Sequence, residues 1–434
     1  MVWEQMKQTE YQKCLKEMFA LHRFGIKLGL DLISDILKKL DNPQNAFSSI
    51  HVAGTNGKGS IASALSAILG EAGFSVGLYT SPHLIRFNER IKINNNEVSD
   101  EEVVSAHKMV RSVRAGSREP TFFEYTTAMA FYLFAKSNVD WAVIETGMGG
   151  RLDATNILLP DISIISNIGM EHQYYLGNSI ARIASEKGGI IKKNTPVITG
   201  AKNKDALRVL REIASDRSAP FYRLGEHFKV RRQPSGTFSY YGMAHTWKNL
   251  YASLPGDHQV DNAGVVLAAC EVLQRKKIPV DFSSIKQGIE TFKWPGRLEV
   301  IAGSPDILID GAHNLMAVKI LTKYLSEFMN GRNITLVIGI LDDKPHQSML
   351  KTLLPLAHRI LLTQPKIDRS LPPEKLFHVV QSLGKSAVMM PDVGEAVNFA
   401  LNTSPPDGLV CITGSLYVVG EAKEALMARG IPTG

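Results

Sequence analysis

The chain has 434 residues, 44% of them hydrophobic, and its 49 Lys and Arg outnumber its 42 Asp and Glu to give a formal charge of +7. That length fills two or three domain cores; no apolar run approaches the ~20 residues that cross a bilayer, and the opening MVWEQMKQTEYQK lacks a signal-peptide core, so a cytoplasmic globular protein is expected. Apart from Lys229, Arg231 and Arg232 the cations are scattered, which suits small anionic substrates as well as nucleic acid, and Cys14, Cys270 and Cys411 lack metal or redox spacing and read as reduced.

Thr9 to Leu40 carries apolar residues at helical spacing broken by Gly25 and Gly29, which predicts two helices. Between them FGIKLGL, Phe24 to Leu30, reads as a helix corner or the border of a substrate cleft. Next comes IHVAGTNGKGS, Ile50 to Ser60: an apolar strand, then glycines, one lysine and a hydroxyl, then a helix rich in Ala, Leu and Ile. This is the form of a phosphate cradle. Gly54 and Gly57 admit close approach of main chain to phosphate oxygens, Lys58 adds a mobile positive charge, and the helix N-terminus adds its dipole. The spacing departs from the common P-loop, because two residues separate these glycines and Ser60 follows Gly59.

Phe74 to Tyr79 reads as a strand ending at Ser81, from which SPHLIRFNERI, Ser81 to Ile91, suits a loop folded over a charged ligand. Ser81 is placed either to ligand a metal or to cap a helix. Helices are predicted over Asp100 to Arg114 and Thr121 to Ala135, and Val139 to Ile144 is a buried strand finishing on Glu145. A carboxylate there, near a phosphate loop, holds Mg2+ or forms a structural ion pair. TGMGGRLDATN, Thr146 to Asn156, puts three glycines beside Arg151 and Asp153, as a ligand loop does.

The strand Ile162 to Ser166 leads to His172 and Lys187 by the same strand-end logic. His172 is open to a metal, a phosphate or a structural role. Lys187 beside a metal would be repelled unless it contacts phosphate, loses its proton or is carbamylated. Strands at Thr195 to Thr199 and Pro220 to Tyr222, a helix over Lys204 to Ala214, and an antiparallel meander over Phe228 to Ser253 follow. Asn262, near the next helix start, contacts an adenine edge or caps that helix.

FKWPGRLEVI, Phe292 to Ile301, marks a boundary, after which six strands from Leu298 to Thr413 alternate with helices as a second α/β unit. Asp310 and His313 fall past a strand end, facing a cleft, with a cap as the other role for Asp310, while Ser415 reads as a cap. Together these parts imply phosphoryl transfer from ATP in a cleft between two domains, with Arg297 near the phosphates.

GTNGKGS, SPHLIRFNERI, ETGMGGRLDATN, EHQYYLGNSIARIASEKGGI, LPGDHQVDNA, WPGRLE and IDGAHN, in this order, resemble the folylpolyglutamate synthase and dihydrofolate synthase family of the Mur ligase superfamily. The resemblance implies an α/β fold: a P-loop NTPase-like N-terminal domain of the Mur ligase central type over residues 1–297, then a smaller Rossmann-like α/β C-terminal ligase domain over 298–434. It implies an ATP-dependent amide ligase that activates a pterin or folate carboxylate as an acyl phosphate for attack by L-glutamate. ATP then contacts Gly54, Thr55, Asn56, Gly57, Lys58, Gly59, Ser60, Asn262, Arg297 and Asp310. Mg2+ is held by Ser81, Glu145, His172 and carbamylated Lys187, with a monovalent cation left open. His313 lies on the glutamate side and joins Lys58 and Lys187 as the catalytic set.

PTFFEYTT, Pro120 to Thr127, looks like the bacterial members that act on dihydropteroate as well as reduced folates, with Thr121, Phe123 and Asp153 lining the pterin site. DDKPH, Asp342 to His346, departs from the family in having Pro345 where a second acid is common. The implied partners are small molecules, with no nucleic acid and no membrane, and the implied state is a monomer. A peptidoglycan ligase would begin its phosphate loop later in the chain. A GTPase switch would need a base-reading motif that Asn203, Lys204 and Asp205 only approach.

Overall fold

A computed structural model describes residues 9–25, 27–113 and 118–433. The chain divides into two compact units: Met1–His83, Phe87–Ser253 and Val260–Phe292 make the first, and Leu84–Arg86, Leu254–Gln259 and Lys293–Gly434 the second. The helices are α1 Glu10–Ala20, α2 Asp31–Lys39, α3 Lys58–Glu71, α4 Asp100–Ser112, α5 Phe122–Lys136, α6 Gln173–Leu176, α7 Ile180–Gly188, α8 Lys204–Asp216, α9 Asp257–Arg275, α10 Phe282–Thr291, α11 Leu315–Phe328, α12 His346–Leu353, α13 Pro373–Ser382, α14 Val393–Thr403 and α15 Leu416–Ala428. The strands are β1 Ser48–Ala53, β2 Val76–Tyr79, β3 Ile91–Ile93, β4 Asn96–Glu97, β5 Trp141–Glu145, β6 Ile162–Ile165, β7 Val197–Thr199, β8 Phe221–Arg223, β9 Lys229–Arg232, β10 Phe238–Tyr241, β11 Thr246–Leu250, β12 Glu299–Ile301, β13 Asp306–Ile309, β14 Ile334–Ile338, β15 Arg359–Leu362, β16 Val388–Met389 and β17 Leu409–Thr413.

In the first unit eight strands run in the order β4-β3-β2-β5-β1-β6-β7-β8, with β1 between β5 and β6 and parallel to both. A central parallel strand is covered on both faces, and β1 is accordingly buried from Ser49 to Ala53. Ile50 and Val52 of β1 pack in the cluster built with α3, α9 and α10, whereas Ala142 and Ile144 of β5 pack on the opposite side with α2, α4 and α5. Gly288 lets α10 cross α3 closely, since a Cβ there would come within 2.7 Å of Ile68. Val52 pairs with Glu145 across the β1–β5 register, so the phosphate loop and the acid leave the sheet at the same edge, where ligands of parallel sheets bind.

The meander forms as expected, a separate antiparallel sheet of order β11-β10-β9. Glu271 of α9 ties it down, accepting from the Tyr240 hydroxyl and from the amides of Met243, Ala244 and His245 at 2.7–3.0 Å. In the second unit the order is β12-β13-β17-β14-β15-β16, parallel except for the β12–β13 pair, with apolar clusters on both faces.

Two expectations change. Asn262 cannot cap, because α9 begins at Asp257 and places Asn262 in its second turn. Asp310 is no cap either: Asn314 caps α11, accepting from the Ala317 amide. Ser415 does cap α15, and Asn203, set against a base-reading motif, caps α8. The helix expected to reach Arg114 ends at Ser112, and Arg114 lies outside the described residues, as does Ile26 of the FGIKLGL stretch.

Candidate active site

The loop after β1 is built from behind. The amides of Thr55 and Asn56 donate to the carbonyl and the side-chain oxygen of Asn167, each at 2.9 Å, while the Ser166 hydroxyl donates to the Asn56 carbonyl at 2.7 Å. The Gly169 amide donates to the Thr55 hydroxyl at 3.0 Å. Gly54, at φ 151°, has no room for a side chain, since a Cβ there would lie 1.8 Å from Ser166 Oγ. Gly57, at φ 84° in the left-handed region, then turns the chain into α3, against the side chain of Asn262. The first α3 bond runs from the Ile61 amide to the Gly57 carbonyl, so the amides of Lys58, Gly59 and Ser60 have no acceptor inside the helix. Aligned amides with a lysine beside them form an anion site.

Lys58 Nζ donates to the Thr55 carbonyl at 3.3 Å and lies 3.9 Å from Glu145 Oε1. The other oxygen of Glu145 accepts the Ser81 amide at 3.1 Å, which joins Ser81, Glu145 and Lys58 at one sheet edge. Lys187 of α7 is buried and donates to the Gly54 carbonyl at 2.6 Å. Burial, helped by the charge of Lys58, lowers its pKa to about 7, against the pull of Glu171 and Asp153. His172 has a left-handed backbone at φ 50° ahead of α6, and its Nε2 lies 3.9 Å from Glu171 Oε1. Among the described residues no group of three or more His, Cys, Asp and Glu forms a metal cluster. The oxygen donors that this edge offers a cation are the Glu145 carboxylate and the Ser81 side chain beside it.

The three residues expected around a pterin are tied into the fold. Thr121 caps α5 in a capping box: its hydroxyl accepts the Glu124 amide and donates to Glu124 Oε2, and Arg118 clasps the same carboxylate. Phe123 stacks on Tyr79 at 6.0 Å between ring centroids and covers Gly147, where a Cβ would fall 2.5 Å from the ring. Asp153 is buried, with Oδ2 accepting the Met148 amide at 2.8 Å and Oδ1 accepting the Thr155 amide and hydroxyl at 3.0 and 2.5 Å. Burial raises its pKa against those bonds. Asp153 thus shapes the glycine loop.

In the second unit Asp310 fixes two turns, its oxygens accepting the amides of Leu298 and Ala312 at 2.9 and 3.0 Å. The Gly311 amide donates to the Gly296 carbonyl at 2.8 Å, and the Arg297 guanidinium fills the space a side chain at Gly311 would need. His313 Nδ1 lies 2.8 Å from the Gly311 carbonyl, so Nδ1 carries a proton and donates it there. Pro345 begins α12. Ser166 and Asn167, which brace the loop, go beyond the sequence reading; a polar pair directly after β6 is their visible signal.

The Mur ligase middle domain matches residues 52–270, and the Mur ligase glutamate ligase domain matches residues 296–416. The chain is 35% identical over 429 residues to a Bacillus subtilis dihydrofolate synthase/folylpolyglutamate synthase, covering 96% of this chain and 99% of that one. An Escherichia coli FolC structure in complex with DHPP and ADP superposes with a TM-score of 0.88 at 28% identity, covering 96% and 98% of the two chains. A Yersinia pestis bifunctional folylpolyglutamate synthase/dihydrofolate synthase complexed with AMPPNP and Mn ion gives 0.86 at 29% identity, with the same coverage.

Proposed function

The chain belongs to the folylpolyglutamate synthase and dihydrofolate synthase family of Mur ligases, and from that premise we infer how its residues divide the work of an ATP-dependent ligase joining L-glutamate to a pterin acid. The enzyme is bifunctional: it takes dihydropteroate to dihydrofolate and extends reduced folates. In the first step a carboxylate oxygen of the pterin acid attacks the γ-phosphorus of ATP, the bond to the β-phosphate oxygen breaks, and ADP leaves. In the second step the glutamate amine attacks the acyl carbon, the amide forms, and phosphate departs.

The single observation that carries this reading is the sheet edge where the amides of Lys58 to Ser60, the Lys58 ammonium and the Glu145 carboxylate converge. The amides and Lys58 bind the phosphates of ATP and offset the charge that spreads over the transferring group. ATP is the co-substrate and a divalent cation the cofactor, and the cation is Mg2+: the Glu145 carboxylate and Ser81 hydroxyl are hard oxygen donors of the kind it takes. When bound it neutralises phosphate charge. His172 joins that set.

Lys187 is the carbamylated lysine of the reading. A buried amine with a pKa of about 7 is substantially neutral near neutral pH, so its lone pair is available to carbon dioxide, with N–C bond formation and loss of one proton. Arg297 and Asp310 serve ATP. His313, its Nδ1 proton held by the Gly311 carbonyl, serves the glutamate side as a catalytic residue. Thr121, Phe123 and Asp153 form the pterin side, Asp153 by holding the glycine loop. No helix among the described residues is long and apolar enough to cross a membrane, and we place the enzyme in the cytoplasm as a monomer that binds no nucleic acid.

The test is labelled glutamate incorporation with dihydropteroate or a reduced folate as acceptor. Phosphate release from ATP should require both glutamate and the pterin acid, and both acceptors should gain label. Hydrolysis of ATP at full rate without either substrate would overturn the ligase reading.

A further inference from the structure

His51 lies in the middle of β1, three residues before the phosphate loop, and is fully buried on the strand's other side from Ile50 and Val52. Its Nε2 is 2.8 Å from the Thr155 hydroxyl oxygen, and that hydroxyl is 2.5 Å from Asp153 Oδ1. The Thr155 hydroxyl donates its hydrogen to Asp153 Oδ1, so its oxygen is left to accept from His51 Nε2–H. The opposite ring nitrogen, Nδ1, is buried without a hydrogen-bond partner. Burial, with the charge of Lys192, keeps the ring neutral, its pKa lowered to about 3. Leaving an acceptor unsatisfied in a core is costly, and an apolar residue between Ile50 and Val52 would avoid it. The imidazole is therefore held for its Nε2–H.

From this chain of contacts we propose that His51 is a positioning residue for the pterin acid: through Thr155 it orients Asp153 and with it the glycine loop on which Phe123 rests. The inference rests on the reading of that loop as the pterin side of the site. Asp153 Oδ2 holds the Met148 amide, one residue past Gly147, whose bare α-carbon lies under the Phe123 ring. A ring anchored in β1 thus sets the pose of a loop whose far end is fixed separately, where Lys192 Nζ donates to the Asn156 carbonyl at 2.9 Å. Because β1 also leads into the phosphate loop, the two substrate loops share one rigid strand.

The experiment compares His51→Leu, His51→Gln, Thr155→Val, Thr155→Ser and Asp153→Asn in steady-state ligation, with melting temperature measured alongside. His51→Leu and Thr155→Val should raise KM for dihydropteroate roughly tenfold and leave KM for ATP within about twofold, the size of one buried hydrogen bond. His51→Gln and Thr155→Ser, which keep a donor at each place, should recover most of the loss. If both hydrogen-bond-deleting variants change only the melting temperature, or shift the ATP and dihydropteroate constants alike, His51 is structural and the proposal is overturned. Should His51→Leu fail to fold, the Thr155 pair decides alone. Asp153→Asn separates the two claims: no change in its dihydropteroate KM removes the pterin assignment of the loop and the proposal with it. A raised KM there, with normal constants in the His51 and Thr155 variants, removes only the link.

Discussion

Lys187 Nζ donates to the carbonyl oxygen of Gly54 at 2.6 Å, which fixes a buried amine against the first residue of the phosphate loop. Any change at either partner is therefore felt by the other.

Lys187→Ala should lose ligation by at least ~100-fold, the scale on which a preorganised charge-stabilising group acts, with bicarbonate restoring none of it. In bicarbonate-free buffer its titration should also appear in stability. The folded pKa of about 7 lies below the unfolded value near 10.5, so between those values the unfolded chain binds more protons, and stability rises with pH across that window. Urea unfolding from pH 7 to 10 should show that rise in the parent protein and a flatter profile in Lys187→Met.

Gly54→Ala should destabilise the protein by at least ~2 kcal/mol, because its Cβ would collide with Ser166 Oγ and its φ is unsuited to a side chain. Adding Ser166→Gly should regain part of that loss by clearing the collision while the backbone conformation stays strained. Thermal melts of the single and double variants check this, and nucleotide binding should stay weakened in both.

His51 and His83 are both kept neutral by burial, each pKa lowered to about 3, and His83 accepts a hydrogen bond from Arg90 Nε at 2.8 Å. Below pH 6.5 the unfolded chain takes up these protons and the native one does not. Their contribution is complete above pH 6.5 and is lost as pH falls toward 3, with a slope approaching ~1.4 kcal/mol per pH unit for each ring. Urea midpoints measured between pH 7.5 and 4 should fall less steeply in His51→Gln.

In the second unit Lys423 Nζ contacts both oxygens of Glu299 at 3.0 Å, and Glu299 Oε2 also accepts the Gly296 amide at 2.7 Å, next to Arg297. Lys423→Met should cost ~3–5 kcal/mol, because it strands a largely buried carboxylate, and the double variant Lys423→Met with Glu299→Gln should cost less. A double-mutant cycle in urea gives the coupling directly.

The phosphate loop and Glu145 were legible in the sequence because each follows from a local pattern, an apolar strand ended by glycines or by an acid. The α/β alternation was legible for the same reason. What joins them was not. His51 meets Thr155 across 104 residues and Lys423 meets Glu299 across 124, and no local periodicity encodes such pairings. Asn262 lies deeper in its helix than the sequence suggests, because α9 begins at Asp257, directly after Pro255 and Gly256. Thr121 carries the opposite lesson: Thr-Phe-Phe-Glu is a capping-box pattern plain in the sequence, and the cap occupies the hydroxyl.

The bracing of Thr55 and Asn56 by Asn167 and Ser166 has a kinetic meaning. A loop already bonded along its back has surrendered its freedom when the chain folds, so nucleotide capture need not wait for the cradle to form. Association should proceed in a single phase that scales with ATP concentration, and slower steps in turnover would belong to the pterin acid, glutamate or product departure.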